Sequence, residues 1–419
     1  RPMAVEILHL SSVVNSTLVD RDGDRLGRVE DLIARLGFAP HPPVTGVVAR
    51  IARRQLFVPI TQVADLRPGR VQLVGDHLSL QRFDRRAGEL LLAKDLRARH
   101  LINLQGARLI RANEIELARV GGRWEVVGVD PSPRAALRRL VPRRLGQRIP
   151  AGKIVDWATI EPFVGHVPTA RLRIPYRKLA RLHPAQIADL VEQASHEEGE
   201  EIIEAVGQDR ELEADVFEEL DDHHQLEFIR ERPDAQVAAV IDRMDSDDAA
   251  DLISEIDQER RARILSMLPA AHRRRIETLL GYNPSTAGGL MSPDFLALGQ
   301  GGSVAQAIEL VRSSDFAPGM LNTVYLLDED GRLAGSVFVV SLVRAGAHAA
   351  LDQLVEREPV SVPTGADLPD VARMMADYNL VMLPVVDDDE RVVGVITVDD
   401  VLELLLPAGW RRRYGVASD

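Results

Sequence analysis

"LDDHHQLEFIRERPDAQVAAVIDRMDSDDAADLISEIDQERRARILSMLPAAHRRRIETLL", Leu220 to Leu280, repeats itself every twelve residues. Units open at Leu220, Arg232, Met244, Ile256 and Leu268. The second position is Asp221, Pro233, Asp245, Asp257 or Pro269. Aspartate caps the first free amides of a helix, and proline suits its first turn. The ninth position is Phe228, Val240, Leu252, Ile264 and Ile276, an unbroken apolar column. The tenth is Ile229, Ile241, Ile253 and Leu265, before Glu277 ends the series. Each unit predicts a capped helix of about two turns that cannot bury its apolar edge alone. Stacked neighbours can, so an all-α superhelix of short helices is expected, stopped by Gly281.

Within this repeat "MDSDDAADLISE" gathers acids. On a helix starting near Asp245, Asp247 and Asp251 lie at i, i+4, and Asp248 and Asp251 at i, i+3. All three carboxylates are predicted on one face, where a cation or a basic neighbour must relieve them. Hard oxygen donors favour Mg²⁺ or Ca²⁺. His196, His223 and His224 show no ligand spacing and read as surface residues.

Downstream, "STAGGLMSPDF" (Ser285–Phe295) puts two glycines side by side, and Gly288 and Gly289 predict a joint with backbone freedom. Two segments of one layout follow, "TVYLLDEDGRLAGSVFVVSLV" and "VMLPVVDDDERVVGVITVDDVLELL". Each reads as apolar strand, acidic turn, second strand through a glycine (Gly335, Gly394), then helix. Between them "ADLPDVARMMADYN" is an amphipathic helix with Val371, Met374 and Met375 inward. This layout resembles tandem CBS domains, which pair within a chain and usually dimerise between chains. The resemblance implies an adenosine-nucleotide motif, G-h-h-T-x-x-D, held in the second module by Gly394, Thr397 and Asp400. ATP or AMP is the implied ligand. The first module has Gly335, Phe338 and Ser341 there, so its polar grip is lost.

Upstream, "LVDRDGDRLGRVEDLIARLG" (Leu18–Gly37) reads as strand, Asp-Gly turn, strand. "LINLQGARLIRANEIELARV" (Leu101–Val120) repeats it 83 residues later, Gly106 falling on Gly23 and Ile115 on Leu32. Two small antiparallel barrels or half-barrels are predicted. The region resembles PRC-barrel domains through Asp20, Asp22, Gly23, Leu26, Gly27, Val29 and Asp31, which implies a binding module without chemistry. Arginine pairs at 53–54, 85–86, 138–139 and 143–144 suit phosphate backbones, or a solvated or internally paired basic face. Few aromatics interleave with them, so base stacking is not supported.

Charge is segregated along the 419 residues. Residues 1–180 carry +14, residues 181–280 carry −16 and residues 281–419 carry −11, for a net −13. Such asymmetry marks different partners for different segments, or attraction between them. No cysteine is present, which excludes disulfides, thiolate metal sites and thiol nucleophiles and fits a reducing cytoplasm. The longest apolar runs, such as 336–343, fall short of the roughly 20 residues that span a bilayer. No signal peptide is read, a trimmed start is expected because Arg1 is no initiator, and the chain is expected to be soluble. Glycine-rich phosphate loops, HExxH and a histidine beside a plausible nucleophile are missing, so an enzyme is not expected.

Residues from about Leu182 to Leu406 resemble the cytosolic part of MgtE-type magnesium channels, an acidic N domain followed by two CBS domains. "LHPAQIADL", "AGGLMSPDF", "VARMMADYN" and "LPVVDDDERVVGVITVDDVLEL" carry the resemblance. It implies Mg²⁺ between the N and CBS domains, held through carboxylates and water. Matching the motifs places the metal set on Asp215, Asp247, Asp248 and Asp251 of the N domain and on Asp400 and Glu403 of the CBS side. Mn²⁺ suits such sites as well. Asn283 to Thr286, Leu368-Pro369 and Asn379 stand where the family carries acids, which implies loss of metal sites between the CBS modules. The family's connecting helix and pore are not in the sequence, so the chain is expected not to conduct Mg²⁺ by itself.

The expected protein is multidomain α+β. Its parts are PRC-like domains at 1–85 and 86–165, the helical N domain at 166–281, CBS domains at 282–346 and 347–407, and a basic tail at 408–419. The expected function is a Mg²⁺ sensor that closes its N and CBS domains on the cation. It would be cytoplasmic, homodimeric through its CBS domains and linked to a membrane transporter or other partner, the tail "GWRRRY" being one docking element. An adenine-nucleotide sensor, or an RNA- or ribosome-associated adaptor through residues 1–180, is the alternative.

Overall fold

The computed structural model describes residues 7–36, 39–52, 54–75, 84–86, 88–140, 152–163, 179–355 and 359–406, without the side chains of 138–140. Two compact units divide after Leu212. Arg53, the pair at 143–144 and the tail at 408–419 lie outside the described residues. No described helix is long and apolar enough to cross a membrane.

The first unit is built from fourteen described strands. They are β1 (Ile7–His9), β2 (Thr17–Val19), β3 (Arg25–Arg35), β4 (Val44–Ile51), β5 (Arg54–Pro59), β6 (Val63–Arg67), β7 (Arg70–Leu73), β8 (Glu89–Leu91), β9 (His100–Asn103), β10 (Arg108–Arg111), β11 (Glu114–Val120), β12 (Arg123–Asp130), β13 (Val155–Asp156) and β14 (Ile160–Pro162). The duplication is present, and its turns form as their chemistry requires. Asp20 Oδ1 accepts from the Gly23 and Asp24 amides, both at 2.8 Å, and Gly23 turns at φ +97°. In the second copy the left-handed residue is Ala107, one place after the matching glycine.

Two independent barrels do not form. The described strand pairings close no barrel, and the copies exchange their opening segments. β1 belongs to the first copy by sequence but pairs antiparallel with β11 of the second. β8 opens the second copy and pairs with β3 of the first. After β1 comes a helical turn, α1 (Leu10–Val13), and after β8 a wider one at Leu92–Leu96. Each turn is capped by an acid from the other copy. Asp31 accepts from the Ala93 and Lys94 amides at 2.7 and 2.9 Å, and Glu114, 83 residues later, accepts from the Ser11 amide at 3.0 Å. Leu10, Leu18 and Val29 share a core with Leu92, Ile115 and Val126. Asp31, which closes the repeated turn motif, thus ties one copy to the other.

A helix α2 (Pro133–Leu140) follows, and then eight described helices: α3 (Pro184–Gln193), α4 (His196–Val206), α5 (Arg210–Glu218), α6 (Asp222–Arg230), α7 (Asp234–Ile241), α8 (Ser246–Ser254), α9 (Gln258–Met267) and α10 (Ala270–Leu279). α3 and α4 fall in the first unit, where α3 packs on β10. The twelve-residue period is visible directly. Asp221, Pro233, Asp245, Asp257 and Pro269 are the N-caps of α6 to α10, so proline sits one place earlier than the first helical turn. The ninth position is buried throughout, from Phe228 to Ile276. Neighbours pack one apart, α6 on α8, α7 on α9 and α8 on α10. Glu277, which breaks the tenth column, is exposed.

Two strand–helix modules complete the second unit. The first holds β15 (Leu296–Gly299), α12 (Val304–Ser313), β16 (Thr323–Leu327), β17 (Leu333–Phe338) and α13 (Val339–Arg344), after a short α11 (Ala287–Leu290). The second holds β18 (Val362–Pro363), α14 (Leu368–Tyr378), β19 (Met382–Val386), β20 (Val392–Thr397) and α15 (Val398–Leu405). Their acidic turns interlock: Arg332 Nε donates to the Asp389 carbonyl and Arg391 Nε to the Asp330 carbonyl, each at 3.1 Å. Val371 and Met375 are buried, with Met374 half-buried beside them.

The double glycine is not a free joint. Neither residue has positive φ; α11 is pinned to the second module by the Ala287 and Gly288 amides, which donate to the Ala366 and Thr364 carbonyls at 2.8 Å. A Cβ on Gly288 would stand 2.7 Å from the Tyr282 ring, and one on Gly289 2.4 Å from the Asn283 carbonyl oxygen. Close approach is what these positions require.

Replacing Asp31 by Ala removes the acceptor of two part-buried amides of the exchanged segment, and the urea-unfolding midpoint should fall by the equivalent of about 1 to 2 kcal/mol. A surface control such as Asp22→Ala should leave it unchanged.

Candidate metal centre

Acids from the helices meet acids from the second module along one seam. α8 starts at Asp245 and carries Asp247 and Asp248 in its first turn. Negative side chains suit that end of a helix, but here they also face one another. Glu218, at the end of α5, accepts from the Asp245 amide at 2.7 Å. One carboxylate oxygen from each of Glu218, Asp245 and Asp248 lies within 4.8 Å of the other two. From the other side come Ser292, Asp294 and Asp400. Ser246 Oγ stands 3.3 Å from Asp294 Oδ2, and Arg275 binds Asp294 at 2.8 Å. Asp247 Oδ1 is buried without a hydrogen-bond partner.

The protonation equilibria report the crowding. Burial, and next the charge of Asp400, push the Asp247 carboxyl up to about 8. Burial and then Asp247, Glu218 and Asp400 hold Asp248 well above the usual range. Glu218 is pushed up to about 8 by burial and by Asp245. Asp400 rises to about 6 through burial, although Thr397 donates to it at 2.5 Å. An unpartnered buried oxygen among like charges is a donor set for a hard divalent cation with several waters. Glu218, Asp245 and Asp248 present the oxygens that lie closest together, and Asp247 and Asp400 stand near enough for their charges to act on one another.

The structure sorts the six sequence-predicted ligands. It brings together Asp247, Asp248 and Asp400, and Asp215 adds its charge to Glu218 and Asp245. Asp251 is exposed, and its charged neighbours are Asp222 and Glu255, so Asp247, Asp248 and Asp251 do not share one face. Glu403 is exposed on α15. Glu218, Asp245, Ser292 and Asp294 were not singled out; the N-cap position of Asp245 was a readable signal, while the others depend on chain crossings. The histidines are a second difference. His223 and His224 stand with Asp221 in a group whose ligand atoms lie within 4.8 Å, because the N-cap aspartate accepts from His224 Nδ1 at 2.7 Å. His196 is exposed.

The nucleotide motif has other employment. Thr397 and Asp400 form a reciprocal cap on α15, and a Cβ on Gly394 would meet the Ser292 carbonyl at 2.7 Å.

The MgtE intracellular N domain matches residues 182–285, and the CBS domain matches residues 351–407. Residues 182–285 are thus similar to an MgtE N domain and residues 351–407 to a CBS domain. Magnesium transporter MgtE of Thermus thermophilus is 31% identical over 195 residues, which are 46% of this chain and 43% of that protein. The Bacillus subtilis magnesium transporter MgtE is 25% identical over 192 residues, with the same two shares. The chain spans less than half the length of these relatives. The crystal structure of the cytosolic domain of the Mg²⁺ channel MgtE in complex with ATP is 28% identical and covers 54% of this chain and 92% of that one, with a TM-score of 0.50. The soluble part of a magnesium transporter shares the fold at 23% identity, 55% and 90% coverage and a TM-score of 0.50.

Glu218, Asp247 and Asp400 titrate above the ordinary carboxyl range near 4, so the assembled seam binds more protons than the unfolded chain. Its stability is full near pH 4 and falls as pH rises through about 6 to about 8. In chelator, the melting temperature should drop between pH 5 and pH 8, and added Mg²⁺ should flatten that slope. Asp247→Asn with Asp248→Asn should raise the chelator melting temperature at pH 8 and shrink the Mg²⁺ effect.

Proposed function

We propose that this chain is a Mg²⁺-responsive regulatory module of the MgtE type, in which a divalent cation draws the helical domain onto the CBS face. One observation carries the reading: half-buried Asp247, which feels the charge of Asp400, has one carboxylate oxygen, Oδ1, buried without a hydrogen-bond partner. Ionised carboxylates repel there, and a cation with its waters replaces repulsion by attraction on both sides. Each site is weak alone because Mg²⁺ gives up its hydration reluctantly. The response is therefore graded over several carboxylates. No enzymatic step is part of this reading.

The similarity to a cytosolic MgtE domain supports a cytoplasmic setting, and a membrane transporter is the partner we assign. A second copy would cover the apolar side chains on α13 and α15: Val340 and Val343 are 65% and 76% exposed, and Leu402 and Leu405 51% and 52%. The exchanged β unit serves, in this reading, as a PRC-like adaptor attached to the sensor. The domain limits at 281/282 and 346/347 belong to the same proposal.

Small-angle scattering during a Mg²⁺ titration tests it. The radius of gyration should fall on adding Mg²⁺, and Asp247→Ala with Asp248→Ala should abolish the change. An unchanged radius at about 10 mM, above the weakest protein Ca²⁺ sites near 1 mM, would refute it, as would the same compaction in the double variant.

A further inference from the structure

The largest sheet of the first unit runs β5-β4-β3-β2-β7-β6, with β8 added to β3. Side chains alternate between the faces of a strand, and directly paired residues share a face. Ala49 pairs with Val29, and Val71 pairs with both Leu18 and Leu66; all five lie in the core. One step along each strand the register reads Gln55–Arg50–Arg28–Thr17–Arg70–Arg67. Four arginines therefore stand in one row on the outer face, and all four are exposed. From Arg50 to Arg67 the row crosses five strands, about 19 Å at the usual strand spacing.

The sheet itself gives no reason for this row. Like charges directly opposite one another destabilise a strand pair, yet Arg28 is paired with Arg50, and Arg67 with Arg70. The outer two are partly answered by acids, Arg50 by Glu30 and Arg67 by Asp65, and still stand 59% and 72% exposed. The inner two, Arg28 and Arg70, have no ion pair among the described residues. They flank the half-buried Thr17, two strand spacings apart, or about 10 Å. The chain has placed two exposed cations on either side of a hydroxyl and left them unpaired.

We infer that this face rests on a membrane surface of anionic phospholipid, with headgroup phosphates seated on Arg28, Thr17 and Arg70. A guanidinium presents paired donors that match a phosphate, and the threonine hydroxyl adds another. A nucleic acid fits less well. A face about 19 Å broad cannot enter a major groove about 12 Å wide, and the row has no aromatic on which bases could stack. A lipid surface has no groove to enter, and its mobile headgroups can gather at fixed cations. The +14 charge of residues 1–180 acts in the same direction. The inference stands apart from cation sensing, because the whole row belongs to the first unit.

Sedimentation of the full chain with lipid vesicles tests it, in chelator so that no divalent cation bridges acids to lipid. Vesicles of equal parts phosphatidylserine and phosphatidylcholine should carry the chain down, and pure phosphatidylcholine should not. Arg28→Gln with Arg70→Gln should weaken binding about thirtyfold, about fivefold for each charge removed, with the melting temperature unchanged or raised. Arg123→Gln, an exposed site on another sheet, should leave binding unchanged. No sedimentation of the wild type with the anionic vesicles, equal losses in Arg123→Gln and the double variant, or binding to duplex RNA alone would overturn the inference. So would a lower melting temperature in the double variant, which would mean that the chain's own acids hold these arginines.

Discussion

Like charge held at close quarters is the constraint on which the second unit turns. Asp247 and Asp248 enter the seam because α8 starts there, and α8 starts there because the twelve-residue period puts an N-cap at Asp245. Ser292 and Asp400 enter because β20 and the segment after α11 are bridged, the Ser292 amide donating to Val395 at 2.8 Å. Neither side can withdraw its acids without giving up a helix start. Arg275 relieves Asp294 alone. His272 offsets part of the charge around Asp245, and the crowding of Asp247, Asp248 and Asp400 answers to protons or to cations from solution.

Asp400 shows how tightly the constraint is drawn. Its carboxylate caps α15 through Thr397 and faces Asp247 across the seam. A nucleotide taken up by the same motif would have to compete with a helix cap and with the acidic face together.

Local pattern was legible, and distant pairing was not. The N-caps at Asp221 and Asp257 and the buried column from Phe228 to Ile276 follow from residues a few places apart, so the repeat was readable. So were Asp247, Asp248 and Asp400, as motif positions. Glu218 was hidden because it lies 27 residues before the amide it binds. Asp251 was misplaced because an ideal helix face takes no account of where α6 stands. The same limit concealed the strand exchange: β1 carries no mark of whether it pairs within its copy or 109 residues on, at Leu117. The glycines of "STAGGL" were read as freedom because sequence displays the missing side chain and not the tyrosine that needs its room.

The reciprocal strand exchange has a consequence for how the first unit comes into being. Its two halves are intertwined copies of one pattern within a single chain, so neither has a complete fold before the other is made. Synthesis must deliver β11 before β1 can be paired, which gives β1 contacts of long sequence separation and delays its burial. Covalent linkage keeps the halves at high effective concentration, and the exchange closes within one molecule rather than between two. The duplicated halves form one body, and a break between them would turn folding into an association.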